Sequence, residues 1–565
     1  MTKMSRIFIL CIYCLLTVSG LADESLLARF FPSTSVANRW QPVSMFPLPE
    51  IDRSESPVEV YNAGVELNNE ALDAMRGKDY ARAVRLLGEA CRKAPGEKGF
   101  WSNYLVALKN SKGREQDAIN TARIVLAFDQ NDSQAAYMAG LIYLNELKKP
   151  EQAIPYIEHA LKAKPGDVSM ATALATAFEQ AGYTDDAFEI LKQYAHASSN
   201  DPYPLYMLGL QYLNREDYNP AIRAFNSARA FDQKGFAHDA WIRARYYAGQ
   251  LEGLENDCRD VLQRFPGVLN RQSLERILFS LAPGDFRMVE TINASVNTPS
   301  ALDRLDFSIK QIPNMSGHQQ IELVGSEFVS RGNSVEALPV TSDAGRLKFS
   351  VPREVLAPEF SLRLIYRIKM SAMLGSRLVS TNVATPDLRH LSQDPLLFLD
   401  HPMVNELSRK ISQLPGNYIQ NAATAVARGL KYSENFEDHP VKWVFENLDR
   451  CDCTEFARLL AALCLKKGIP ARIATGFLIK AELINTDTSI GHAWCEVFFP
   501  GKGWVPIDPT LQSNMHWAYF GNLLSDQILF DYLNGDKRTR VSIDFVSTKP
   551  DLKVNLGNSY RISHW

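Results

Sequence analysis

Small apolar residues recur through the first half of the chain at a fixed spacing. Ala83, Ala118, Ala153, Ala187 and Ala221 stand 35, 35, 34 and 34 residues apart. Their frames are alike: Asp79-Tyr80-Ala81-Arg82-Ala83-Val84, Pro150-Glu151-Gln152-Ala153-Ile154, Tyr183-Thr184-Asp185-Asp186-Ala187 and Tyr218-Asn219-Pro220-Ala221-Ile222. An amphipathic helical pattern follows each, as from Ala153 to Lys162, then a turn such as Lys164-Pro165-Gly166-Asp167, then a second helix such as Tyr203 to Leu213. Small residues at one phase predict paired helices in close approach. A pair cannot bury its apolar face alone, so neighbouring pairs stack into a continuous core. The unit around Leu254 departs from the pattern, as a terminal cap does.

Beyond about residue 270 the period changes. Leu347-Lys348-Phe349-Ser350-Val351 alternates apolar and polar positions, and Leu362, Leu364, Tyr366 and Ile368 alternate with Arg363, Arg367 and Lys369. Period two predicts half-buried strands, with turn clusters such as Ser342-Asp343-Ala344-Gly345 between them. The expectation is a β-sandwich-like domain over 269–390 with no catalytic constellation. From about Pro402 the helical pattern returns. Phe456, Leu459, Leu460, Leu463 and Cys464 fall at i, i+3, i+4, i+7 and i+8, the apolar face of a buried helix. Lys466, Lys467 and Gly468 supply its basic last turn and its stop. A strand from Ile473 to Ile479 follows, then a hairpin from Gly491 to Phe499, turning at Pro500-Gly501-Lys502-Gly503 into Trp504 to Thr510.

The period and phase of the first half resemble the tetratricopeptide repeat family, assigned to 60–268. That resemblance implies an all-α superhelix whose groove takes a protein or peptide partner. The bland alternative is a rigid spacer holding the next domain.

Composition adds exclusions. The 565 residues carry 61 Lys+Arg against 64 Asp+Glu, a net charge of −3, which gives no global electrostatic case for nucleic acid or an anionic membrane. Residues 1–22 read as a secretory signal peptide. Lys3 and Arg6 precede a 12-residue apolar run from Ile7 to Val18, and Gly20 and Ala22 occupy the −3 and −1 positions. That run is too short to span a bilayer comfortably, and no later stretch has membrane length. The mature chain is expected to be exported, periplasmic or secreted, with 23–59 a linker. Without Cys11 and Cys14 six cysteines remain, too few for a disulfide scaffold in a chain of this length. Four of them (Cys451, Cys453, Cys464 and Cys495) fall within 45 residues and point to local chemistry.

Cys453 falls at the start of the buried helix, where backbone dipoles favour a thiolate. His492 starts the hairpin and Asp508 ends it. A thiolate needs a base to hold its proton, and the base needs a carboxylate to fix its tautomer. The ordered elements are Cys453 followed by Phe456-Ala457, Gly468-Ile469-Pro470-Ala471-Arg472, Gly491-His492-Ala493-Trp494, Gly503-Trp504 and Asp508-Pro509-Thr510. They resemble the transglutaminase-like superfamily with its papain-like cysteine core. The resemblance implies an α+β core over 391–515, with Cys453 as nucleophile, His492 as general base and Asp508 as orienter. It further implies acyl transfer from protein or peptide amides, by crosslinking, deamidation or hydrolysis, with no cofactor or metal. The backbone amide of Cys453 is the first oxyanion donor. Trp443 and Asn447 are candidates for a second, and Tyr432 matches a recurrent upstream aromatic.

Cys451 departs from the pattern, standing where the family commonly has Gly. Three readings of it stay open: a redox partner of Cys453 or Cys495, a zinc ligand with Cys453 and His492, or a plain buried thiol. Cys495, three residues after His492, falls on the opposite strand face. The hairpin carries its own condition. In an unbulged hairpin His492 and Asp508 share a face only across an odd loop, so an odd loop or a bulge is expected. The last segment, 516–565, reads as an extension with one strand from Val541 to Phe545. Two other functions compete: a noncatalytic interaction scaffold with a degenerate transglutaminase-like domain, and a hydrolase for cell-wall peptides.

Overall fold

The computed structural model describes residues 24–31, 39–42, 46–197, 200–341, 346–375, 386–392, 394–434, 438–486, 490–512, 517–533, 540–549 and 551–565. The expected leader at 1–22 and the turn cluster at 342–345 lie outside the described residues. The chain forms two compact units, one of residues 34–241 and one joining 1–33 to 242–565.

The first unit is helical. Helices Val58–Arg76, Tyr80–Lys93, Lys98–Lys109, Glu115–Phe128, Ser133–Leu141, Pro150–Ala163, Val168–Gln180, Thr184–Tyr194, Tyr203–Asn214 and Tyr218–Arg229 follow one another through short turns. The five phased alanines are fully buried. Close approach explains them: Gly140 lies against Ile157 and Gly209 against Phe225, each with no room for a Cβ. A second periodicity lies five residues ahead of the alanines. Lys78, Gly113, Lys148, Gly182 and Glu216 all take left-handed backbone, with φ from 54° to 85°. Each reverses the chain between paired helices, and only two of the five are glycine.

The stretch expected to be a linker packs against these helices. Phe46 stacks on Tyr156 at 3.9 Å, and Trp40 meets Tyr183 edge-on at 5.3 Å. The Trp40 amide donates to Asp186 Oδ2 at 2.9 Å. Arg123 Nε donates to Pro47 O at 2.9 Å, and Ser56 Oγ to Lys93 O at 2.8 Å. Residues 39–42 and 46–56 thus strap four helices of equivalent phase. The helical run extends past 241, through Leu254–Arg264 and Arg271–Leu281, beyond the point where the sequence period fades.

The second unit holds thirteen strands among its described residues: β1 (Gly284–Val296), β2 (Leu302–Lys310), β3 (Gln319–Ser330), β4 (Asn333–Glu336), β5 (Val340–Thr341), β6 (Arg346–Ser350), β7 (Glu359–Met370), β8 (Ala471–Leu478), β9 (Ile490–Phe499), β10 (Gly503–Ile507), β11 (Gln527–Leu533), β12 (Val541–Ser547) and β13 (Val554–His564). Two sheets, ordered β13-β1-β7-β3-β4 and β12-β2-β6-β5, share one apolar core that includes Phe307, Phe349, Leu362 and Ile368. The segment 516–565 is therefore no appendage. β12 pairs with β2 and β13 with β1 along their lengths, completing both sandwich sheets. Inside the sandwich the buried Glu290 carboxylate takes both Arg540 Nε (3.1 Å) and Nη2 (2.6 Å).

A third sheet, β10-β9-β8-β11, packs with helices Pro402–Gln413, Tyr418–Gly429 and Cys453–Lys466. Phe456, Leu459, Leu460 and Leu463 are fully buried, as their spacing predicts. A short helix, Glu24–Phe30, belongs to the same core. Leu27 and Phe30 are buried in it, and Phe30 sits on Gly429 where a Cβ has no space. Arg29 meets Asp449 through two bonds of 2.9 and 2.7 Å.

Candidate functional site

Cys453 is the first residue of the helix Cys453–Lys466. A capping box sets that start. The Asp452 side chain accepts from Thr454 N at 2.7 Å, and Glu455 Oε2 accepts from Asp452 N at 2.8 Å. The Cys453 N–H lies in the first turn, where no helical carbonyl accepts it. Glu455 is fully buried; burial pushes its carboxyl up to about 8, and the neighbouring Asp452 charge adds to the rise, against the amide N–H groups of Asp452 and His439 that it accepts. The other end of the helix stops at Gly468, φ 81°.

The β9–β10 hairpin brings His492 and Asp508 together. Gly503 pairs with Phe499 and Ile507 with Cys495, so the loop is Pro500-Gly501-Lys502, three residues long. This odd loop puts Asp508 on the face of His492 and points Cys495 the other way. His492 Nε2 donates to Asp508 Oδ2 at 2.6 Å. Asp508 Oδ1 accepts from Thr510 N and Leu511 N at 3.1 Å each, and Oδ2 also accepts from Gln527 Nε2 at 3.1 Å. With Nε2 committed to Asp508, Nδ1 is the remaining ring nitrogen, and Cys453 lies close enough to act electrostatically on the ring. Burial opposes the charged ring. The Asp508 carboxylate against it, with Cys453 adding to the effect, overrides that penalty and raises the imidazole to about 10. The imidazolium is thus the form this site favours. Opposite His492 on β8 stands Gly476, where a Cβ would overlap the Ile528 carbonyl of β11.

All six described cysteines are free thiols. Cys453 is 8% exposed and the other five are at 0–1%. The Cys451 thiol donates to Asn447 O at 3.4 Å, and burial pushes it up to about 12. The left-handed non-glycine residues are Lys78, Lys148, Glu216, Arg331, Phe398 and Asn485, so Cys451 keeps ordinary backbone and its Cβ adds no strain. Of the two candidate second oxyanion donors, Asn447 donates its Nδ2 to Trp443 O at 3.0 Å, and Trp443 stacks on His439 at 3.8 Å. Tyr432 bridges to Cys451 and is 46% exposed. Burial raises its hydroxyl, with the Cys453 sulfur a lesser cause.

Three buried side chains around the site escape sequence reasoning. Gln527 touches Asp508 directly. Asp526, pushed up to about 7 by burial against the bond from the Tyr519 hydroxyl, lies close enough to feel both His492 and Asp508. Tyr519 donates to Asp526 Oδ2 at 3.1 Å. Gln527 opens β11 and Asp526 precedes it, in a run with no family motif whose only signal was polar residues beside Ile528, Leu529 and Phe530; Tyr519 ends the short helix Trp517–Tyr519.

Residues 405–509 match the family model of the transglutaminase-like superfamily, and residues 71–200 that of the tetratricopeptide repeat. The chain therefore carries a transglutaminase-like core domain and tetratricopeptide repeats. It is 25% identical over 197 residues to the "Uncharacterized protein YebA" of Bacillus subtilis, a match covering 32% of this chain and 26% of that protein. Among solved structures, a protein of Cytophaga hutchinsonii described only as a candidate cysteine protease aligns at 14% identity and TM-score 0.31, covering 50% of this chain and 98% of that one. Pseudomonas aeruginosa PilF aligns at 16% identity and TM-score 0.33, covering 38% and 98%. Among the described residues no helix is long and apolar enough to cross a membrane.

Proposed function

We propose that the protein is an exported cysteine acyltransferase or amidase acting on protein or peptide amides, with the repeats recruiting a protein partner. The observation that carries this reading is the 2.6 Å contact of His492 Nε2 with Asp508 Oδ2, with Cys453 near enough to influence the same ring. Asp508 holds His492 with Nε2 protonated, so the second ring nitrogen takes the thiol proton.

The Cys453 thiolate attacks the amide carbonyl carbon. The oxyanion that forms meets the backbone N–H of Cys453, with the helix dipole behind it. His492 returns its proton to the leaving nitrogen, the C–N bond breaks, and a thioester remains on Cys453. An incoming amine or water, deprotonated by His492, resolves it and restores the thiol. The outcome depends on which nucleophile reaches the thioester.

The test incubates full-length protein with a glutamine peptide and a labelled primary amine, following amine incorporation and ammonia release. Either product, lost in Cys453→Ala, supports the reading. Neither product, together with a Cys453→Ala protein that keeps its cellular role, sinks it in favour of the noncatalytic scaffold. Export is tested by the N-terminal residue of mature protein, expected to follow Ala22.

A further inference from the structure

We propose that Gln527 is the positioning residue for Asp508, and that His318 and Gln319 of the β-sandwich hold Gln527 in place; the inference rests on the acyl-transfer reading above. A carboxylate offers about four lone-pair sites. Asp508 fills them with Thr510 N, Leu511 N, His492 Nε2 and Gln527 Nε2. The backbone donors fix Oδ1. Among the described residues Oδ2, the oxygen that grips the ring, has one donor besides His492, and it is Gln527 at 3.1 Å.

The Gln527 amide has a defined orientation. Its Oε1 accepts from Leu524 N at 3.4 Å, which leaves Nε2 to face Asp508. The side chain is 1% exposed, so it meets these partners away from water. Its backbone is held from the sandwich. His318 is wedged between two carbonyls, with Nε2 2.7 Å from Gln527 O and Nδ1 2.8 Å from Ser371 O. The next residue, Gln319, donates to Leu529 O at 2.8 Å and accepts from Leu529 N at 2.9 Å. Two consecutive sandwich residues thus grip β11 on either side of Ile528. A path of hydrogen bonds runs from His318 through Gln527 and Asp508 to His492, the ring that Cys453 acts on. The sandwich is thereby part of the machinery that orients the thiol's base. Asp526 faces the same pair from the next position, as a second carboxyl near the ring.

Without the Gln527 donor, Oδ2 is free to turn away from the ring and the imidazolium loses stabilisation. Cys453 should then react more slowly with an alkylating agent. The experiment alkylates full-length protein with iodoacetamide across pH 5–9 and reads Cys453 by peptide mass. Gln527→Met keeps the volume and removes the donor. It should slow Cys453 alkylation on the acid side roughly tenfold, with the melting temperature little changed. Gln527→Glu puts a second carboxyl against Asp508. It should approach the wild-type rate at low pH, where a shared proton supplies the donor, and lose it as pH rises. His318→Asn should shift the profile in the same direction by less. A wild-type profile in Gln527→Met, beside a parent whose Cys453 alkylates ahead of its other thiols, overturns the inference and leaves the acyl-transfer reading standing. An ordinary thiol profile in the parent removes both.

Discussion

His492 is held charged against its own burial. Its folded pKa is raised from 6.5 to about 10, against burial and in favour of Asp508. A group raised in the folded state contributes stability fully below its unfolded pKa, and that contribution is lost as pH rises through the folded value. Unfolding free energy should therefore fall as pH rises above about 6.5, the ordinary histidine value. His492→Gln should flatten that slope. Urea midpoints of both proteins at pH 6 and pH 8.5 check it, a window below the ionisation of Cys451 and Cys464. Gly476 makes a second case at this scale. Gly476→Ala drives a methyl into the Ile528 carbonyl, prising β11 from β8 beside His492. We expect lost amide turnover along with a lowered melting temperature, measured on the same preparation. The two residues differ in legibility. His492 could be read from Gly491-His492-Ala493-Trp494 because its chemistry is local. Gly476 is required by a strand that arrives 52 residues later, Ile528, and nothing in its own neighbourhood announces that.

Among elements, the helical repeats were the most readable, because each alanine contacts its sequence neighbours and the period repeats the signal. Their turns were not readable. Lys78, Lys148 and Glu216 occupy the left-handed position that Gly113 and Gly182 fill in other units, at φ 61°, 54° and 61°. Relieving that strain should stabilise the array. Lys78→Gly and Lys148→Gly should each raise stability by up to about 1 kcal/mol, the cost of left-handed backbone in an L-residue set against the larger entropy of an unfolded glycine. Thermal melts of the two variants and their combination measure this. The hairpin loop was readable only as a condition: four turn-forming residues at 500–503 left its parity open, and pairing of Gly503 with Phe499 set it at three. The Cys453 helix start was legible in composition, and its cap gives it a measurable strength. Asp452→Ala should cost about 1 kcal/mol of stability and slow Cys453 alkylation, since fraying of the first turn releases the sulfur from the ring.

For the whole molecule, the long-range pairings are what sequence could not convey. β12 showed its alternation from Val541 to Phe545, yet its partner β2 lies more than 230 residues earlier. β13 is mostly exposed along Val554–His564, so it offered no period-two stripe. Its attachment shows instead in Asn558 and Tyr560, which donate to the buried Glu290 at 3.2 and 3.0 Å, the carboxylate that Arg540, just before β12, neutralises. Breaking such a pair leaves an unmatched charge in the core, a loss of about 3–5 kcal/mol. Arg540→Met should therefore sharply reduce soluble yield and melting temperature. Adding Glu290→Leu should recover much of the loss, because two apolar groups replace the ion pair. A double variant no better than Arg540→Met would place the defect elsewhere than in the orphaned carboxylate.

The docking of Glu24–Phe30 on Gly429 and Asp449 makes the repeat array an insertion, not a leading domain. Two backbone crossings, near 33 and near 242, connect it to the rest. A protease nicking either crossing would cut the polypeptide without freeing a clean N-terminal half. Nicked material should migrate as two bands under denaturing conditions while eluting as one species from a native sizing column. A truncation beginning after residue 31 would strip the papain-like core of a wedge it buries, so shortened expression clones are better started before Glu24.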